Sequence, residues 1–216
     1  MSPEKIETEI KIIGITGLIG SGKSTVAKFI KEMNYPLISS DEVAKELMSS
    51  NSELINEIKA NFGEDILVNN SLDSKKLSEL VFGENKDAKK NREKLNSLVH
   101  PRVMDENMKR VEQFVLEGEH TIFIESALIF ELGLDSGYDY IICVDADIEI
   151  CLQRASERLG ISKEKIQSRM NTQFSAQEKK KLSDFVIDNS GSFEKTRQAT
   201  EFILELLDSL PAKKFI

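Results

Sequence analysis

The chain has 216 residues, 40% hydrophobic and 31% charged, a balance that excludes a disordered chain and fits one globular domain with insertions or one domain plus a small lid. Its formal net charge of −8 argues against a dedicated binder of nucleic acid or anionic membrane, since phosphate backbones select basic surfaces, although a local basic cleft is compatible with it. No stretch is apolar and long enough to span a membrane, Cys143 and Cys151 have neither a disulfide-framework nor a metal-ligand spacing, and the polar residues Met1 to Glu9 lack a signal-peptide core, so the expectation is a cytoplasmic protein with two packing cysteines.

Five strand-like segments alternate with helical patterns. Ile10–Thr16 is a nearly continuous apolar run, followed by a helix carrying Val26, Ala27, Phe29 and Ile30. Tyr35–Ser39 reads as a short second strand. About eighty residues follow, far more than an ordinary crossover. Their patterns are helical at Glu42–Ser49, Ser52–Asn61, Ser74–Val81, Ala88–Val99 and Arg102–Glu117. Thr121–Ser126 is the third strand and Tyr140–Asp145 the fourth. Ile148–Leu159, Ser162–Met170 and Ala176–Ser183 form a basic helical stretch with the position and length of a mobile lid. Phe185–Asp188 is the fifth strand, and Phe193–Leu210 a closing helix with one apolar face. Runs without polar alternation suit strands buried on both faces, the habit of parallel sheets. The expected fold class is therefore α/β, a five-stranded parallel sheet flanked by helices. The core would comprise residues 10–41, 118–147 and 184–210, with a helical insertion at 42–117 and a lid at 148–183. The charge-dense stretches Asn85–Lys94 and Glu178–Lys181 read as solvated helix surface.

The strongest motif is Gly17-Leu18-Ile19-Gly20-Ser21-Gly22-Lys23-Ser24, with Thr25 after it. It matches the phosphate-binding pattern G-x-x-x-x-G-K-[ST] and lies where that loop must lie, between a buried strand and a helix. Glycines let the backbone turn its N–H groups inward around a β-phosphate, and the helix N-terminus adds a field favourable to anions. Lys23 can reach the β- and γ-phosphates, and Ser24 offers a hydroxyl to Mg²⁺. The plainer alternative is a glycine-rich turn with a solvated lysine. The pattern predicts a P-loop nucleoside-triphosphate fold that binds ATP through residues 17–25, Ile19 included.

Other candidates surround the loop. Asp41 follows the second strand, where a carboxylate can take a proton from an attacking hydroxyl; it could equally cap the helix at Glu42–Ser49. Glu125 ends the third strand, a place for an acid behind the Mg²⁺ hydration shell, or merely a solvated one. Arg154 and Arg158 share a helix face and could grip phosphate oxygens, with Arg169 on the next helix; any one of them could be surface charge. Asn189, in Asp188-Asn189-Ser190-Gly191, could contact adenine or simply make a turn. His100, before Pro101, reads from the residues alone as a packing or capping histidine.

Taken together, GLIGSGKST, LISSDEVAKEL, LDSKKLSELVF, LVHPRV, ESALIFE and VIDNSG resemble dephospho-CoA kinases in content and order, from about Lys11 to the last helix. So does the pattern RxxxR…RM…Q at Arg154, Arg158, Arg169-Met170 and Gln173. The resemblance implies a parallel core, a helical acceptor-binding insertion and a lid. It implies transfer of the ATP γ-phosphate to the ribose 3′-hydroxyl of dephospho-CoA, giving coenzyme A and ADP. Asp41 matches the family's general base, Gly20 to Thr25 its ATP loop, Arg158 its lid arginine and Glu125 its strand-three acid. His100 matches the histidine near the acceptor. By the same resemblance Arg102, Lys75 and Leu77 fall among acceptor-binding positions. This chain has Leu18 where many members have glycine, Ser39-Ser40-Asp41 where many read DAD, and Ser74 where many have arginine. Rival readings are another small-molecule or nucleoside monophosphate kinase, and an ATP-sensing binding protein.

Overall fold

The structure, a computed structural model, describes residues 9–68, 71–83 and 86–213. The polar reading of residues 1–8 and the Asn85 end of the first charge-dense stretch lie outside the described residues. The described residues divide into two compact units, one running to Ile38 and resuming at Val111, the other Ser39–Arg110.

In the first unit five strands form one sheet: β1 (Lys11–Thr16), β2 (Leu37–Ser39), β5 (Thr121–Glu125), β6 (Tyr140–Asp145) and β7 (Phe185–Asp188), in the order β2-β5-β1-β6-β7. β1 pairs in parallel with β5 and β6, and β6 with β7. The apolar runs that suggested strands are the buried ones. Ile13, Ile15, Phe123, Ile142, Val144 and Ile187 pack with Val26, Ala27 and Ile30 of α1 (Lys23–Glu32) and with Ile203, Leu204 and Leu207 of α9 (Phe193–Ser209). A smaller cluster of Ile129, Phe130 and Ile141 packs with Leu134 and Tyr138. Between β6 and β7 lie α6 (Ile148–Leu159), α7 (Lys163–Met170) and α8 (Ala176–Leu182). Each begins on a side chain that accepts a first-turn N–H, Asp147, Ser162 and Ser175 respectively.

The second unit holds α2 (Ser40–Ser50), α3 (Ser52–Phe62), a two-stranded hairpin of β3 (Leu67–Val68) and β4 (Ser71–Leu72), α4 (Ser74–Phe82) and most of α5 (Ala88–Leu116). Its buried apolar residues include Val43, Leu54, Ile58, Ile66, Leu77, Val81, Val99 and Val103. Asn51 caps α3 by accepting from Leu54 N–H at 2.9 Å, and Asp73 caps α4 through Lys75 N–H at 2.9 Å.

Two sequence expectations change here. The patterns at Ala88–Val99 and Arg102–Glu117 are one helix, with Pro101 inside it. Proline removes one ladder donor and crowds the carbonyl a turn earlier, but Arg102 Nη1 donates to the Leu98 carbonyl at 3.0 Å, supporting the ladder beside it. α2 begins at Ser40 with Ser39 as N-cap, so Asp41 is a first-turn residue and not the cap. An acid there is favoured by the helix dipole and is not consumed by capping.

Candidate active site

In the first unit the loop at residues 17–22 leaves β1 and enters α1 at Lys23. Gly20 and Gly22 have φ of 82° and 95°. A Cβ on Gly20 would lie 2.1 Å from the Cys151 carbonyl oxygen, and one on Gly22 would lie 1.9 Å from Asn189 Nδ2. Both positions therefore require glycine for space as well as for backbone angle. Leu18 has no positive φ, because Asn34 is the one non-glycine residue that does among the described residues. The strain that a leucine could have introduced at that position is absent.

α1 has no side-chain cap and no acid in its first turn, which leaves its N-terminal dipole and N–H groups to an anion. Lys23 is 8% exposed, and its Nζ donates to the carbonyls of Gly17 and Leu18 at 3.2 Å each. Ser24 is exposed and Thr25 half-buried at the start of the helix. The hydroxyls of Thr16 and Ser21 are buried with no hydrogen-bond partner. Such atoms at the mouth of a glycine loop are the kind a bound anion or its water satisfies.

Asn189 ties this loop to its surroundings. Its Nδ2 donates to the Ser21 carbonyl at 2.7 Å, and its Oδ1 accepts from Thr196 Oγ1 at 2.9 Å. Its backbone carbonyl accepts from Arg154 Nη1 at 3.0 Å. Arg154 is thereby held beside the loop. Arg158, one turn further along α6, is exposed and has no partner among the described residues. Glu125, half-buried, ends β5 in register with Ile15 of β1, so it stands beside the strand that feeds the loop. At the end of β6, Asp145 accepts from Lys180 Nζ at 2.6 Å, and that bond raises the lysine's pKa.

Three residues in and against the α6–α8 region, Lys179, Glu131 and Gln173, were given no role by sequence reasoning. Lys179 is fully buried, paired with Glu131 at 2.8 Å and bonded to the Ala127 carbonyl at 2.9 Å. This corrects the reading of Glu178–Lys181 as solvated surface: α8 buries the lysine and leaves Leu182 exposed, because Glu131 supplies the opposite charge. Glu131 also accepts from Phe174 N–H at 2.7 Å. Gln173 accepts from Ile19 N–H at 3.0 Å. The signal available for Glu131 was its place in ESALIFE, an acid directly after an apolar run; Gln173 stood in the RM…Q pattern without a role.

In the second unit Asp41 is exposed on α2. The preceding residue, Ser40, accepts from Asn107 Nδ2 at 2.9 Å, and the Asn107 Oδ1 is buried without a partner. Lys75 is exposed in the first turn of α4, while Leu77 is buried in the unit's own packing. His100 is half-buried, and burial pushes its pKa below the ordinary imidazole value. Arg102 is committed to Glu57, 2.6 Å away, as well as to the Leu98 carbonyl. Among the described residues no three His, Cys, Asp or Glu side chains are grouped to hold a metal ion, and no helix is long and apolar enough to cross a membrane.

The family described as dephospho-CoA kinase matches residues 11–195 of this chain. A dephospho-CoA kinase of Listeria innocua is 40% identical over 195 residues, covering 89% of this chain and 96% of that protein. Among solved structures, a Thermus thermophilus protein superposes with a TM-score of 0.76 at 30% identity, covering 92% of this chain and 98% of that one. A dephospho-CoA kinase from Campylobacter jejuni superposes with a TM-score of 0.66 at 26% identity, covering 92% of this chain and 97% of that chain.

Proposed function

This chain belongs to the dephospho-CoA kinase family, and on that premise we propose that it transfers the γ-phosphate of ATP to the ribose 3′-hydroxyl of dephospho-CoA, giving coenzyme A and ADP in the cytoplasm. The observation that carries this reading is the likeness to a named dephospho-CoA kinase at 40% identity over 89% of the chain. The loop at residues 17–25 supplies the phosphate-binding chemistry such a reaction needs.

In this reading residues 10–41, 118–147 and 184–210 are the kinase core, 42–117 the acceptor-binding insertion and 148–183 the lid. The loop N–H groups and the start of α1 hold the ATP phosphates, and Lys23 moves from the Gly17 and Leu18 carbonyls onto phosphate oxygens. Arg154 and Arg158 add positive charge at the same oxygens. Asn189 acts mainly as a brace, since both ends of its amide are already used; its role toward ATP is to hold Ser21 and Arg154. Asp41 takes the proton of the attacking hydroxyl. His100, Lys75, Leu77 and Arg102 belong to the acceptor side, His100 as a neutral imidazole because burial disfavours its charge.

The residues fit a magnesium ion. Ser24 presents an exposed hydroxyl at the start of α1, and Glu125 a carboxylate at the end of the neighbouring strand. These are hard oxygen donors that leave most of a cation's shell to nucleotide oxygens and water, the usual manner of Mg²⁺. Mg²⁺ bound there would offset the negative charge that develops on the transferring phosphoryl group.

The test is ADP release from Mg·ATP with dephospho-CoA, AMP, CMP, shikimate, adenosine or no acceptor. Stimulation by dephospho-CoA alone, with coenzyme A identified by mass, is the expected result. Stimulation by another member of the panel instead would keep the phosphotransferase and reject this acceptor.

A further inference from the structure

Gln173, in the turn between α7 and α8, reaches the phosphate loop with its side chain. Gln173 Oε1 accepts from Ile19 N–H at 3.0 Å, and Gln173 Nε2 donates to the Ala127 carbonyl at 3.3 Å. An amide is suited to this place because it must accept at one end and donate at the other. Its backbone is held as well. The next residue, Phe174, donates its N–H to Glu131 at 2.7 Å. Glu131 is in turn paired with buried Lys179, which shares the Ala127 carbonyl with Gln173. The middle of the loop is fixed on its other sides too. The Ile19 side chain packs against a cluster that includes Cys151, Leu152, Ala155, Ile166 and Met170, and Gly20 lies against the Cys151 carbonyl.

We propose that Gln173 is a positioning residue for the phosphate loop: by holding the Ile19 peptide, it keeps the loop in the shape that turns its remaining N–H groups toward the nucleotide. The inference rests on the reading of residues 17–25 as an ATP loop. Ordering a loop on binding costs conformational entropy for each residue fixed, and a peptide fixed beforehand spares part of that cost. The effect should therefore fall on ATP and not on the acceptor.

Gln173→Met keeps the length of the side chain and removes both hydrogen bonds. ATP binding by calorimetry, with KM for ATP and for dephospho-CoA, is measured on the full chain. The expected result is a rise of about tenfold in Kd and KM for ATP, the scale of one partly buried hydrogen bond lost with its partner left unpaired. The KM for dephospho-CoA should stay within about twofold. Gln173→Glu still accepts from Ile19 but cannot donate to Ala127 and adds negative charge beside the loop; it should bind ATP more weakly still, and it carries the test if the methionine variant does not fold. Unchanged ATP affinity in a variant whose parent binds ATP would overturn the proposal alone. So would tighter binding, which would make the contact a latch that ATP must displace, or an equal loss for both substrates, which would mark a general structural defect. A wild-type chain that does not bind ATP would overturn the nucleotide reading and this inference with it.

Discussion

In the proposed site the loop at residues 17–24 would offer a ligand backbone N–H groups, one buried lysine and the hydroxyls of Ser21 and Ser24, all fixed by consecutive residues. On the acceptor side of the proposal, in the unit Ser39–Arg110, the groups would be side chains drawn from α2, α4 and α5, and several have structural duties of their own. Arg102 is paired with Glu57, Leu77 is core, and Asp41 stands exposed in a first turn. A backbone-made site cannot tolerate an added Cβ, as Gly20 and Gly22 illustrate. A site made of side chains can lose one member and keep its scaffold. The first is damaged through shape, the second through chemistry.

The largest expected effect tests the chemical half of that contrast. Asp41→Asn should lower kcat by about a thousandfold, within the usual range for a lost general base, with ATP affinity and thermal midpoint close to wild type. Near-normal turnover would remove Asp41 as the base and move the proton transfer elsewhere. The next tests the scaffold on the loop side. Glu131→Gln leaves Lys179 buried without its counter-charge, and urea denaturation should show a loss of about 3 kcal/mol. Adding Lys179→Met to that variant should restore much of the loss; no recovery in the double variant would mean the pair is not the source. The smallest effect concerns His100. Burial holds its folded pKa below the ordinary 6.5, so the unfolded chain takes up the proton first. Its contribution to stability is therefore complete above about pH 6.5 and shrinks as pH falls from there through the folded value. Urea midpoints across that range should fall less steeply in His100→Gln than in wild type, and identical slopes would show that His100 is not responsible.

The parts of the fold readable from sequence were those in which one physical cause acts along consecutive residues. Tyr140–Asp145 and Phe185–Asp188 appear in the structure at the expected bounds, since strands buried on both faces show as unbroken apolar runs. The loop was readable because its glycines, lysine and serine act together within eight positions. What failed involved side-chain contacts that no hydrophobic periodicity shows. The break expected at His100-Pro101 is bridged by a side chain, Arg102 to Leu98. Lys179 hid in a run of lysines because its counter-charge, Glu131, lies on another segment, and no helical periodicity marks a helix that buries lysine and exposes Leu182. Asp41 was ambiguous between base and cap until the helix start at Ser40 removed the cap. Asn107 gave no local signal, since its tie to Ser40 joins α5 to α2.

The two cysteines have a consequence in redox terms. Cys143 and Cys151 are both buried, and burial raises each thiol to a pKa of about 11. Exchange with a disulfide needs the thiolate, which at neutral pH is about one part in ten thousand for such a group. The proposed substrate and product both end in a free thiol, and their oxidised forms are disulfides. Only the backbone of Cys151 packs against Gly20; its Sγ donates to the Ala146 carbonyl at 3.5 Å. Buried thiols of this kind leave the chain slow to exchange with such disulfides.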